Sequence, residues 1–167
     1  MNPIHNTKTP RYVRDCWQTP RSLFDRLDYE FKFDCDVAAD RSNALCEYFM
    51  TQKTSALERR YWGWSNFCNP PYSRHGGGKL AWIQKANEQN HMWKSTVMLL
   101  PSDTGSKWFK YALRHANEIR FLVGGRVRHV NPIDGKGHSN FFPSLLVIFR
   151  GWPNACQAAI SFMEVVR

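Results

Sequence analysis

The sequence predicts a three-layer α/β domain: a mostly parallel sheet with an antiparallel C-terminal hairpin and helices on its faces. Three observations carry this. Apolar runs of strand length alternate with stretches whose apolar residues recur at helical spacing. The last two such runs, Glu118 to Val123 and Leu145 to Phe149, resemble a hairpin rather than another strand–helix unit. Only 33 positions (69 − 36) separate Asp36 from Asn69. That leaves little room for two strand–helix units, so the sheet is expected to be abbreviated. Residues 1–15 read as a flexible basic arm and residues 16–167 as a single domain.

The elements follow in order. Thr19 suits a helix N-cap and Pro20 the first helical position. Leu23, Phe24 and Leu27 then give that helix an apolar face. Phe31 to Ala39 reads as a strand ending in a tight loop at Ala38 to Asn43, followed by a helix-like stretch from Ala44 to Phe49. Trp62 to Cys68 reads as a buried strand, with Asn69-Pro70-Pro71-Tyr72-Ser73 directly after it. Gly76-Gly77-Gly78 marks a mobile loop. Lys79 to Asn90 is helical, with Leu80, Ile83 and Ala86 on one side. Ser95 to Pro101 is a continuous apolar strand, and Ser106 to Ala116 a second amphipathic helix. Arg126 to Val130 extends the strand at Glu118, and Asn131 to Asn140, with Pro132, Gly135 and Gly137, reads as a long exposed loop.

Composition bounds the function. The chain has 167 residues, 43% of them hydrophobic, which is enough for a real core. No apolar run approaches the roughly 18 residues of a membrane span, and the N-terminus lacks the apolar centre of a signal peptide. A soluble, cytoplasmic protein is expected. The formal charge of +9 favours a polyanionic partner, although basic proteins with no nucleic-acid role exist. Aromatic residues make up 14%, including seven Trp; most suit a core and a few suit base stacking. Cys16, Cys35, Cys46, Cys68 and Cys156 contain no Cys-x-x-Cys pair and make no metal pattern, so reduced structural thiols are expected.

Asn69-Pro70-Pro71-Tyr72 carries the chemistry. Two prolines after a strand can serve as nothing more than a rigid turn. Yet the string lies where an α/β sheet places its ligands, outside the carboxyl end of a buried strand. An exocyclic adenine amine is a poor nucleophile, because its lone pair is delocalised into the ring. Two acceptors gripping its hydrogens would pull the nitrogen toward tetrahedral geometry. The Asn69 side-chain oxygen can be one and the Pro70 carbonyl the other, held rigid by Pro71. Both would stabilise positive charge as it develops on nitrogen. Tyr72 offers an aromatic face to a base that has left the duplex.

The ordered set Trp17-Gln18-Thr19-Pro20, Phe33 to Asp40, Asn69 to Ser73, Leu99-Leu100-Pro101, Gly125-Arg126-Val127 and Leu145 to Phe149 resembles the phage-type DNA N6-adenine methyltransferases of the Dam group. The resemblance covers roughly residues 16 to 150. It implies a Rossmann-like fold and S-adenosyl-L-methionine as cofactor. It also implies double-stranded DNA as partner, a monomer or homodimer, and a phage- or prophage-encoded protein in a bacterial cell. The implied cofactor contacts are Trp17, Thr19, Pro20, Asp36, Ala38 and Asn69, with Thr19-Pro20 against the methionine part and Asp36 near its cationic amino group. Ala38 and Ala39 would let the backbone approach closely. The Gly-x-Gly of many methyltransferase cofactor loops is absent, and Thr54-Ser55-Ala56 precedes Leu57 where family members often carry an acid. Asp40, Glu47 and Glu58 are candidates for the ribose hydroxyls, although each suits a solvated surface position better. Ser73, Arg74, His75 and Lys79 beside the catalytic loop are candidate DNA contacts. So are Arg126, Arg128 and Lys136 around the long loop, together with His129 and His138. The same chemistry would serve RNA adenine, cytosine N4 or a glutamine amide. A non-catalytic DNA-binding protein on this fold is the alternative of a different class.

Overall fold

Apolar side chains on the central strands alternate between two buried faces, and this period of two sets the layers. The computed structural model describes residues 15–73, 77–139, 142–153 and 157–165. Within them the strands are β1 (Cys35–Asp36), β2 (Tyr48–Phe49), β3 (Ser65–Cys68), β4 (Ser95–Pro101), β5 (Glu118–Val123), β6 (Arg128–Val130), β7 (Gly137–Ser139), β8 (Ser144–Arg150) and β9 (Ala159–Glu164). The helices are α1 (Arg21–Phe31), α2 (Gly78–Asn90) and α3 (Lys107–His115). No helix among the described residues is long and apolar enough to cross a membrane.

Seven strands form one sheet in the order β2-β1-β3-β4-β8-β5-β9, and β6 and β7 form a separate two-stranded ribbon. All neighbours in the large sheet are parallel except those of β8, which runs antiparallel to both β4 and β5. On one face, Leu23, Phe24 and Leu27 of α1 pack against Phe67, Val97, Leu99, Leu146 and Ile148. On the other, Trp82, Ile83 and Ala86 of α2 and Trp108, Phe109 and Ala112 of α3 cover Cys68, Met98, Leu100, Leu145 and Val147. The mixed α/β architecture is therefore the expected one, with the antiparallel strand inside the sheet.

The sheet is short where the spacing requires it. Between β1 and β3 lie only β2 and one turn of 3-10 helix at Gln52–Thr54. Parallel neighbours normally need a helical crossover; here loops do that work. Chain order also reverses at this point. From β1 the chain moves outward to β2, then returns to β3 on the other side of β1. The crevice between the carboxyl ends of β1 and β3 is thus a topological switch point, the usual ligand position in open α/β sheets.

Several local expectations are corrected. Pro20, not Thr19, is the N-cap of α1, and no side chain caps it. The strand expected from Phe31 shrinks to Cys35–Asp36, because Phe31 still belongs to α1 and Lys32 ends that helix in the left-handed region at φ 51°. The helix-like stretch at Ala44 to Phe49 contains β2 instead, whose backbone is recruited by β1. Arg126 to Val130 does not extend β5: Arg128–Val130 leaves the sheet and pairs with Gly137–Ser139, so the expected long loop is a hairpin closed by a short turn. Strand β9 was not expected at all. Of the glycine run, Gly76 lies outside the described residues, while Gly77 precedes α2 at φ 84° and Gly78 opens it at φ 70°.

Candidate functional site

The switch point collects the residues singled out by sequence. Asp36 ends β1 and Cys68 ends β3, so Asp36 and Asn69 lie at adjacent strand ends, with Asp36 paired to Phe67 in register. Asp36 is 3% exposed. Its Oδ1 accepts from the Ala38 amide at 3.3 Å and its Oδ2 from the Leu45 amide at 3.2 Å. Burial pushes its carboxyl up to about 6, against the pull of those two amides. A buried carboxylate with amides and, among the described residues, no ion pair is the chemical complement of an ammonium group.

Asn69 is held from two sides. Its Nδ2 donates to the Trp17 carbonyl at 3.1 Å, and its Oδ1 accepts from the Tyr72 hydroxyl at 3.2 Å. The carbonyl fixes the amide's orientation, since turning it over would set two acceptors face to face. Oδ1 thus keeps a second lone pair for another donor. The Tyr72 hydroxyl also lies 3.1 Å from the Leu99 carbonyl, so its single proton is shared between two acceptors. Desolvation raises the phenol well above its ordinary range and keeps it a donor. The Tyr72 ring carries the Lys79 ammonium over its face, 5.5 Å from the centroid. Pro70 is buried and Pro71 half-buried.

The arm expected over residues 1–15 lies outside the described residues except for Asp15, which touches this loop. Its Oδ1 accepts from the amides of both Tyr72, at 3.1 Å, and Ser73, at 3.0 Å. The available signal was charge: Asp15 is the first acid in a basic stretch and stands directly before Cys16-Trp17-Gln18. Gln18 in turn bridges Val130 of β6 through hydrogen bonds of 3.0 and 2.9 Å. Trp17 meets the His138 ring edge-on at 5.6 Å. The N-terminal segment therefore joins the Asn69 loop to the β6–β7 hairpin.

Other expected site residues fall around this centre. Thr19 is buried and its Oγ1 has no hydrogen-bond partner among the described residues. Ala38 is half-buried beside the Asp36 carboxylate. Asp40, Glu47 and Glu58 are exposed. Arg126, Arg128, Lys136 and His138 are exposed on or before the hairpin, with Arg128 donating to the Gly137 carbonyl at 3.2 Å. His129 points inward, and burial pushes its imidazole down to about 4, which removes it from the exposed cationic surface. Arg74 and His75 lie outside the described residues. The thiols of Cys35 and Cys46 are raised by burial to about 11 and about 12, and Cys68 beside Asn69 is raised well above its ordinary value, so none is a poised nucleophile.

Residues 6–166 match the family model described as DNA N-6-adenine-methyltransferase (Dam). A protein of Escherichia phage T1 named DNA N-6-adenine-methyltransferase is 40% identical over 119 residues, covering 70% of this chain and 48% of the relative. The chain thus spans about half the length of that relative. A protein of the same name from Haemophilus phage HP1 is 31% identical over 147 residues, covering 86% of this chain and 83% of the relative. No solved structure matches the chain. Matched along nearly its whole length, the chain belongs to the DNA N-6-adenine-methyltransferase (Dam) family.

Proposed function

We propose that this chain is a site-specific DNA methyltransferase that transfers the methyl group of S-adenosyl-L-methionine to N6 of a flipped-out adenine. The observation that carries the reading is the Asn69 carboxamide, fixed by the Trp17 carbonyl with Oδ1 available, at a switch point it shares with the buried Asp36. The donor set suits the cofactor. Asp36 matches its ammonium group, and Thr19 Oγ1 is a buried polar atom without a partner close in sequence to Trp17. When bound, the cofactor supplies an electrophilic methyl group.

The protein's own residues do the rest. Asn69 Oδ1 and the Pro70 carbonyl accept from the two hydrogens of the adenine amine and localise its lone pair. Pro71 restrains the Pro70 carbonyl, because its Cδ limits the ψ of the residue before it. As positive charge develops on nitrogen, both oxygens stabilise it without reorganising. Tyr72 keeps the Asn69 oxygen in place through its hydroxyl and offers ring surface to the base. Arg126, Arg128 and Lys136 on the hairpin, with Ser73, Arg74, His75 and Lys79 beside the loop, contact the phosphates of double-stranded DNA. The formal charge of +9 supports that partner. Residues 16–167 act as one methyltransferase domain.

The test is plasmid from cells expressing the chain, assayed for methylated adenine by sequencing and for protection from restriction digestion. Asn69→Ala is expected to lower turnover about a hundredfold, near 3 kcal/mol in the barrier, while cofactor binding by calorimetry stays near normal. Methyl groups appearing in RNA or on cytosine instead would redirect the substrate. Absence of cofactor binding with or without DNA would reduce the protein to a binding role.

A further inference from the structure

We propose that Asp15 is a positioning residue for the Asn69–Tyr72 loop, holding it in the register from which Asn69 presents its oxygen. The inference rests on the reading of that loop as catalytic. Pro70 and Pro71 have no N–H to donate, so the loop leaves β3 without backbone donors at those positions. Tyr72 and Ser73 carry the next two amides, and both donate to one oxygen of Asp15, at 3.1 and 3.0 Å. One carboxylate oxygen has the lone pairs to accept from both amides.

The same short stretch of chain also reaches the functional atom. The Trp17 carbonyl takes the Asn69 Nδ2 proton at 3.1 Å, so the segment grips the loop's backbone after the prolines and its side chain before them. Gln18 pins the segment to Val130. Charge makes the assignment sharper. Asp15 is exposed, and the residues before it include Lys8, Arg11 and Arg14 but no other acid. Close to the expected path of DNA, a carboxylate works against binding a polyanion. The two amides give it a reason to be there.

The experiment compares Asp15→Ala, Asp15→Asn and Asn69→Ala in the full chain. It measures steady-state methyl transfer to duplex DNA, cofactor affinity by calorimetry and the thermal midpoint. Asp15→Ala is expected to lower kcat about tenfold while KM for DNA and cofactor affinity move by less than about twofold, because the loop is displaced rather than removed. Asp15→Asn keeps an oxygen that can accept from both amides and is expected to recover kcat to within about threefold. The assignment is overturned if Asp15→Ala turns over normally, if its loss lies wholly in KM or cofactor affinity, or if Asp15→Asn is as poor as Asp15→Ala. Asn69→Ala separates the two levels. Wild-type turnover in that variant sinks the catalytic reading itself, whereas an inactive Asn69→Ala beside a normal Asp15→Ala sinks only the role of Asp15.

Discussion

Replacing Asp36 by Asn should make the protein more stable at neutral pH. The carboxyl is raised from 3.8 to about 6 in the fold. The native state therefore binds more protons than the unfolded chain between those values. The group's contribution is complete below 3.8 and is lost as pH rises through about 6. At about 1.4 kcal/mol per pH unit, ionised Asp36 costs the fold about 3 kcal/mol at pH 7.5. Asn carries no charge, but it supplies one acceptor where Asp36 supplies two, to Ala38 and Leu45. The orphaned amide costs about 1–2 kcal/mol, which leaves a net gain of about 1–2 kcal/mol. For a chain of this size that is a rise of about 3–6 °C in the thermal midpoint. Thermal unfolding of both proteins, without cofactor, at pH 7.5 and at about pH 4.5 is the assay. The difference should vanish or reverse at the lower pH, where native Asp36 is already protonated. A variant less stable than wild type at pH 7.5, or an offset equal at both pH values, would refute the account of Asp36 as a charge buried at the fold's expense.

Two further outcomes are expected. His129 is held at about 4, below its ordinary 6.5, so its contribution is complete above pH 6.5 and is lost as pH falls toward 4, by about 3 kcal/mol. Urea midpoints across that range should show a flatter acid limb in His129→Phe and a steeper one in Asp36→Asn, since the two groups act with opposite sign. Gly63→Ala should lower the urea midpoint by the equivalent of about 2–3 kcal/mol, because its Cβ would fall 2.1 Å from Asp34 Oδ1 and 2.7 Å from Cys35 Cβ. Asp34 receives the amides of Trp64 and Ser65 at the start of β3, so an unchanged midpoint would show that this strand end yields freely.

Legibility from sequence followed the strength of the local signal. Ser95–Pro101 was bounded correctly because a fully buried strand is apolar on both faces and has no competing reading. Tyr48–Phe49 was misjudged, and the strand around Cys35–Asp36 drawn too long, because strands of 2 residues carry no period; only pairing with neighbours defines them. Strand β9 escaped because it is an edge, with Ile160 50% and Phe162 68% exposed, so its apolar residues mark no core. At the site, the positions of Asn69 to Tyr72 and of Asp36 at strand ends were legible. Asp15 was not, since its partners are backbone amides nearly sixty positions away, and backbone amides look alike in every sequence.

The position of β8 between β4 and β5 has a consequence for the order of assembly. Residues through 123 supply β1 to β5, yet β4 and β5 share no hydrogen bonds with each other. As the chain emerges from a ribosome, each of these strands waits with an open, apolar edge until Ser144–Arg150 arrives to seal both at once. The half-sheet bearing Asn69 and the half bearing Glu118 are thus two fragments welded by a late strand. A nascent chain stalled before residue 144 would expose two sticky seams, and a chaperone would meet them before the sheet closed.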